Sequence, residues 1–173
     1  MNKIIFLDRD GTINEDVGYL SDAKDFKFLP NAVEGLQLMQ EKGYKLNIVT
    51  NQSGIGRKMY SLEDYNKVND FMIKQLEKSN VYIDNVFYCP HRPEIYCKCR
   101  KPKTGMVKRY MVKKSRKDCY VIGDKTSDLR FGELLKIKTT LVLTGEAGRD
   151  KLHKTIPNYV VDDLLDFAKN ILI

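Results

Sequence analysis

Asp8-Arg9-Asp10-Gly11-Thr12 follows directly on the apolar run Ile4-Ile5-Phe6-Leu7. Residues i and i+2 of an extended segment lie on the same side, so Asp8 and Asp10 converge at the carboxyl end of a buried strand. Two carboxylates held together repel and are poorly solvated, and a bound cation offsets both effects. A duller reading, an Asp-rich turn leading into a helix, stays open on these five residues alone. The pair suits phosphoryl transfer. Asp8 is the candidate nucleophile, attacking phosphorus to form an aspartyl-phosphate that water then releases. Asp10 is the candidate general acid on the leaving alkoxide and general base on the water.

Further segments supply what that reaction needs. In Thr50-Asn51-Gln52-Ser53-Gly54, the Thr50 hydroxyl and neighbouring amides suit equatorial phosphoryl oxygens. Lys101, in Arg100-Lys101-Pro102, suits neutralisation of the developing charge. Gly123-Asp124-Lys125-Thr126-Ser127-Asp128 offers Asp124 to join Asp8 around a hard cation with oxygen ligands, Mg2+, with Lys125 placed to hold the carboxylates. Taken singly, the Thr50 segment reads as the start of a helix and Gly123-Asp124 as a plain turn. Their order, each at the end of an apolar run or beside one, argues for one shared site.

Three of the four cysteines and one of the two histidines fall in a single short stretch. Cys89, His91, Cys97 and Cys99 offer three thiolates and an imidazole, a complete tetrahedral zinc set with no open position, hence structural. The spacing describes a clip within a loop and not an independent module. A disulfide between neighbours is the alternative. Cys119, in an apolar run, is expected in the core, and His153 is expected to be an exposed bystander.

Apolar, β-branched runs at 4–7, 46–50, 86–88, 119–122, 140–143 and, more weakly, 159–161 predict strands. Between them, 32–42 (stopped by Gly43), a segment capped by Ser61 with the stripe Tyr65, Val68, Phe71, Met72 and Leu76, 104–112, 127–135 and 162–171 predict helices. Alternating strands and helices predict an α/β fold, an open and mostly parallel sheet covered on both faces. Such sheets bind ligands beyond the carboxyl ends of their strands, where the polar segments above fall.

At 173 residues and 42% hydrophobic, the chain reads as one domain over 1–173. No apolar run approaches the roughly 20 residues of a membrane span. Met1-Asn2-Lys3 leads at once into the first strand, leaving no room for a secretory signal, so a cytoplasmic monomer is expected. The formal charge of +7 fits a nucleic acid, a phosphorylated small molecule or a lysine-rich proteome. The local cluster Lys108, Arg109, Lys113, Lys114, Arg116 and Lys117 reads as the solvated face and end of a helix, not a polynucleotide track.

The segments Asp8-Arg9-Asp10-Gly11-Thr12, Thr50, Lys101 and Gly123-Asp124 with Asp128 resemble the motifs of the haloacid dehalogenase-like phosphohydrolases. The resemblance implies a Rossmann-like three-layer α/β/α sandwich, Mg2+ held by Asp8, Asp10 and Asp124, with Asp10 contributing its backbone carbonyl, and the catalytic set Asp8, Asp10, Thr50 and Lys101. One loop and one helix fill the interval between Asp10 and Thr50, which leaves no room there for a large cap domain. Phe6 to Asn14, Gly18-Tyr19, Thr50 to Ile55, Cys89-Pro90-His91 and Cys97 to Pro102 are similar to one subgroup. It contains D-glycero-D-manno-heptose 1,7-bisphosphate 7-phosphatase and histidinol-phosphate phosphatase. That similarity implies substrate contacts from Asp16, Val17, Gly18, Tyr19, Thr50, Asn51, Gln52, Ser53, Arg100 and Lys101. Arg57, as a further cation, suits a ligand with two phosphates. Lys58-Met59-Tyr60 departs from the heptose enzymes, which usually carry a glycine after the arginine, and the short loop 92–96 is closer to the histidinol-phosphate branch. The freestanding chain and the stretch from Gly18-Tyr19 through Phe26, Phe28, Leu29 and Pro30 favour the sugar bisphosphate. A polynucleotide 3′-phosphatase is the rival from another class. The zinc-ligand set and the want of an aromatic-and-basic strand groove weigh against it, so no nucleic-acid partner is expected.

Overall fold

A computed structural model describes residues 3–112 and 114–172. Met1, Asn2 and Lys113, which enter the expectations above, lie outside the described residues. The apolar runs form β1 (Ile4–Leu7), β2 (Lys45–Asn51), β3 (Ile83–Cys89), β4 (Cys119–Gly123), β5 (Lys138–Val142) and β6 (Tyr159–Val161). They make one sheet in the order β3-β2-β1-β4-β5-β6. Every pairing in it is parallel. The helices are α1 (Ala32–Glu41), α2 (Ser53–Gly56), α3 (Leu62–Lys78), α4 (Thr126–Leu135) and α5 (Leu164–Asn170). This is the Rossmann-like α/β/α arrangement.

Side chains alternate along each strand, so β1 feeds two cores. Ile5 and Leu7 pack with Leu36 and Met39 of α1, Val68, Met72 and Leu76 of α3, and Phe167 of α5. Ile4 and Phe6 pack on the other face with Phe131 and Leu135 of α4 and with Val107 and Met111. Ser61 and Asp64 start α3 with a reciprocal capping box.

The stretch 104–112 is not a helix. It runs as successive turns, with Val107 N–H donating to Thr104 O and Met111 N–H to Val107 O. The Gly105 amide donates to Lys98 O at 3.0 Å, tying the start of the stretch to the cysteine loop. Packing of Val107 and Met111 covers the sheet without a continuous ladder of helical bonds. The helix start read at the Thr50 segment is the short α2, while a 3-10 turn at Ala23–Asp25 has no counterpart in the sequence reading.

Position follows from register. Ile122 of β4 and Ile48 of β2 flank Leu7 of β1. The chain crosses from β1 outward to β3, then returns to the other side of β1 with β4. That reversal opens a crevice at the carboxyl ends of β1 and β4. The 8–31 connection is a loop held by isolated bridges, Asp10 to Asn14 and Asn14 to Phe28, and inserts no cap domain.

Helices α1 and α5 meet at Gly35, where a Cβ would fall 2.6 Å from the backbone carbon of Leu164. Backbone atoms cannot swing aside as a side-chain tip can. Gly35→Val should therefore destabilise the protein by about 1–3 kcal/mol. Urea unfolding would show a lower midpoint, with turnover of the remaining folded enzyme unchanged.

Candidate active site

Asp8 continues β1 by one residue, its N–H donating to Ile122 O at 2.9 Å. Lys101 reaches the same spot from a loop beyond β3. Its Nζ lies 2.9 Å from Asp8 Oδ1 and 2.6 Å from Asp128 Oδ1, and donates to Val49 O at 2.6 Å. All three charged groups are buried. Burial alone would lower the Lys101 pKa, but Asp128 and Asp8 reverse this and raise it, so the ammonium persists. Asn51 fixes the loop that carries Lys101: its Oδ1 accepts from Lys101 N and its Nδ2 donates to Lys101 O.

Carboxylate oxygens of Asp8, Asp124 and Asp128 all lie within 4.8 Å of one another. Asp124 Oδ2 accepts from Glu146 N–H at 2.8 Å, while its buried Oδ1 has no partner. An orphaned anionic oxygen among three carboxylates is the environment a hard divalent cation satisfies. The residues present therefore fit magnesium. Asp128, three residues into the motif helix α4, was quoted with the motif but not assigned to the metal. It anchors Lys101 and receives Lys125 N–H at 3.2 Å.

The Asp10 carboxylate, on the same cavity, has partners of its own. It is gripped by the Arg9 guanidinium at 3.0–3.1 Å, by Asn14 Nδ2 at 2.9 Å and by Gln52 Nε2 at 2.8 Å. Arg9 is itself buried and lies over the Tyr65 ring. Thr50 is buried at the end of β2, and its Oγ1 accepts from Gln52.

An open cavity of about 700 Å³ rises from these groups. Asp8, Asp10, Asp16, Gly18, Thr50, Asn51, Ser53, Arg100 and Lys101 line it, as do Lys103 and Lys125. Four expected substrate contacts do not. Val17 and Tyr19 are exposed, Gln52 is buried behind Asp10, and Arg57 is paired with Glu94 at 2.7 Å. Asp16 lines the cavity but is bound to Lys125 Nζ at 2.8 Å. His153, expected as an exposed bystander, is half-buried and lines the cavity with Asp150 and Leu152, as do Pro93 and Ile95. Its backbone N–H donates to Thr126 Oγ1, which a search by residue type alone does not reveal. Cys119 is buried in β4 as expected.

Cys89, His91, Cys97 and Cys99 gather at the end of β3, with ligand atoms 3.2–3.8 Å apart across the close pairs. No disulfide joins Cys89, Cys97 and Cys99. Tetrahedral zinc with sulfur and nitrogen ligands sets edges of about 3.5–3.8 Å, so this donor set can hold such a metal. Arg100 N–H donates to Cys97 Sγ, carrying the cluster's geometry into the Arg100-Lys101 pair.

Burial, then the nearby Asp8 charge, push the Asp124 carboxyl up to about 8 when no cation is present. A carboxyl whose folded pKa lies above its unfolded value of about 4 binds its proton more tightly when folded. Stability of the magnesium-free protein should therefore fall as pH rises from about 4 to about 8. Added Mg2+ should flatten that fall, as measured by calorimetric melting across pH 5–8 with and without the ion.

Residues 98–167 match the family model described as HAD-hydrolase-like. The D-glycero-beta-D-manno-heptose-1,7-bisphosphate 7-phosphatase of Haemophilus influenzae is 37% identical, over 98% of this chain and 96% of that protein. The enzyme of the same name from Pasteurella multocida is 39% identical with the same coverage. The crystal structure of D,D-heptose 1,7-bisphosphate phosphatase from B. bronchiseptica, complexed with magnesium and phosphate, superposes with a TM-score of 0.90 at 28% identity, covering 98% of both chains. Shared fold and sequence identity over nearly the whole of both chains lead to one conclusion: the chain belongs to the haloacid dehalogenase-like phosphoric monoester hydrolases, in the branch of the heptose-bisphosphate phosphatases.

Proposed function

We propose that this enzyme removes the 7-phosphate of D-glycero-D-manno-heptose 1,7-bisphosphate, with Mg2+, through an aspartyl-phosphate on Asp8. One observation carries the reading: Asp8 is held beside Lys101 at the floor of a cation-lined cavity, with an unsatisfied carboxylate oxygen of Asp124 close by. Asp8 attacks phosphorus as the bond from phosphorus to the sugar oxygen breaks. Asp10, lining the same cavity, gives a proton to the departing alkoxide and later takes one from the water that frees inorganic phosphate. Lys101 and the Thr50 hydroxyl bind phosphoryl oxygens as charge builds on them. Asp8, Asp124 and the Asp10 backbone carbonyl would hold magnesium, which supplies charge neutralisation for the phosphoryl group. Arg100, Ser53 and Asn51 line the space beyond and suit the sugar and its second phosphate.

Zinc at Cys89, His91, Cys97 and Cys99 would be structural, since four protein ligands leave no position for substrate. Its role is to fix the loop that delivers Arg100 and Lys101. Among the described residues no helix is long and apolar enough to cross a membrane. The reading takes residues 1–173 as one domain, working as a cytoplasmic monomer on a small phosphorylated sugar with no nucleic-acid partner. Unbridged cysteines at 89, 97 and 99 suit a reducing compartment.

Phosphate release should be measured with the heptose bisphosphate, histidinol phosphate and 3′-phosphorylated DNA. The bisphosphate should have the highest kcat/KM, and a lead for histidinol phosphate would overturn the substrate assignment. Asp8→Asn should lose at least about a thousandfold in kcat while folding normally, as expected on removing a covalent nucleophile. Cys97→Ser should bind less zinc and turn over more slowly, with the melting transition still cooperative. Full turnover in a zinc-free protein would refute the role given to that loop.

A further inference from the structure

Gln52 is buried between the two polar groups that face the phosphoryl site. Its Nε2 donates 2.8 Å to Thr50 Oγ1 and 2.8 Å to Asp10 Oδ2, which uses both amide hydrogens. An amide of this kind can be turned end for end with little change in shape, which would present an oxygen to Asp10 and set two acceptors face to face. The Asp10 carboxylate, an acceptor only, opposes that turn, and Tyr60 supports the same orientation from the other end. Its hydroxyl donates to Gln52 Oε1 at 2.6 Å. Tyr60 is 8% exposed, and burial pushes its phenol up to about 12, so it remains a donor throughout the working range of the enzyme. The ring reaches this place by lying on the backbone of α2. A Cβ on Gly54 would fall 2.2 Å from Tyr60 Cε1.

We propose that Tyr60 is a positioning residue that, through Gln52, orients the Thr50 hydroxyl as a donor to the phosphoryl group and holds the Asp10 carboxylate in place. The direction of the chain determines the outcome. Tyr60 O–H gives to the Gln52 carbonyl, and the Gln52 amide gives to Thr50 Oγ1. Thr50 is thereby an acceptor on its protein side, and its own proton has no acceptor among the described residues. That proton is left for an oxygen of the substrate. Linked hydrogen bonds of one direction strengthen one another in a buried site. The Lys58-Met59-Tyr60 stretch after Arg57, where the sequence leaves the pattern of the heptose enzymes, thus supplies a group that acts on the reaction without touching substrate.

This inference rests on the phosphatase reading above, and the test separates the two. Tyr60→Phe keeps the ring on Gly54 and deletes one hydroxyl. With p-nitrophenyl phosphate and Mg2+, kcat should fall about five- to twentyfold at nearly constant KM, the scale of one buried hydrogen bond. The melting temperature should fall by no more than about 5 °C. Gln52→Glu, similar in shape but unable to donate from a carboxylate, should lose more than Tyr60→Phe. Tyr60→Phe added to Gln52→Ala should cost nothing further, because Tyr60 acts only through Gln52. Vanadate titrated by calorimetry with Mg2+ should bind more weakly to Tyr60→Phe than to the unaltered enzyme. Equal turnover and equal vanadate binding in Tyr60→Phe, or losses that multiply in the double variant, would overturn the inference and leave the phosphatase reading intact. An unaltered protein that neither hydrolyses phosphomonoesters nor binds vanadate would overturn both.

Discussion

Lys101 brings one positive charge into a buried group of three carboxylates. Ions stripped of water are tolerated only when close partners replace the lost solvation. The ammonium meets this demand with Asp8, Asp128 and the Val49 carbonyl, drawn respectively from β1, α4 and β2. Three elements distant in sequence are thereby pinned at one point. Asp124 is left with an unpaired oxygen, so the cluster stays electrostatically incomplete until a second cation arrives. Structure and cofactor demand are two sides of one charge imbalance.

The walls of the cavity are joined mainly through backbone groups. Gln52 N–H donates to Cys89 O and Gly56 N–H to Pro90 O, so the Thr50 segment and the cysteine loop share hydrogen bonds at two levels. Lys103 Nζ donates to Cys97 O, and Asn51 grips Lys101 from both sides. The Arg57–Glu94 ion pair spans the same two loops, but Glu94 is well exposed and such pairs contribute little. Bonds to backbone groups do the joining. The Thr50 segment and the cysteine loop are therefore tied directly to one another.

The parts legible in the sequence were those carried by short spacing. Asp8 and Asp10 declare themselves because a strand and its first two polar residues are contiguous, and the four zinc-type ligands because a clip must be local. The parallel sense of the sheet followed from alternation of strands with helices. The stretch 104–112 misled because Val107 and Met111 have helical spacing, while the tether from Gly105 to Lys98 O that breaks the ladder is a contact between loops. The surroundings of His153 and Gln52 stayed hidden for a similar reason. Their roles depend on Thr126 in one case and on Tyr60, Thr50 and Asp10 in the other. Residue type carries no record of which neighbour tertiary folding will provide.

A fully parallel sheet sends every functional loop out through the same end. The opposite end holds a separate society of groups: Tyr44 stacked edgewise on Tyr120, with Lys3 and Lys138 over their rings. Nothing there faces the cavity. A fluorophore, a solid support or a fused partner attached at that base would stand a full strand length from the cavity, leaving its rim unobstructed.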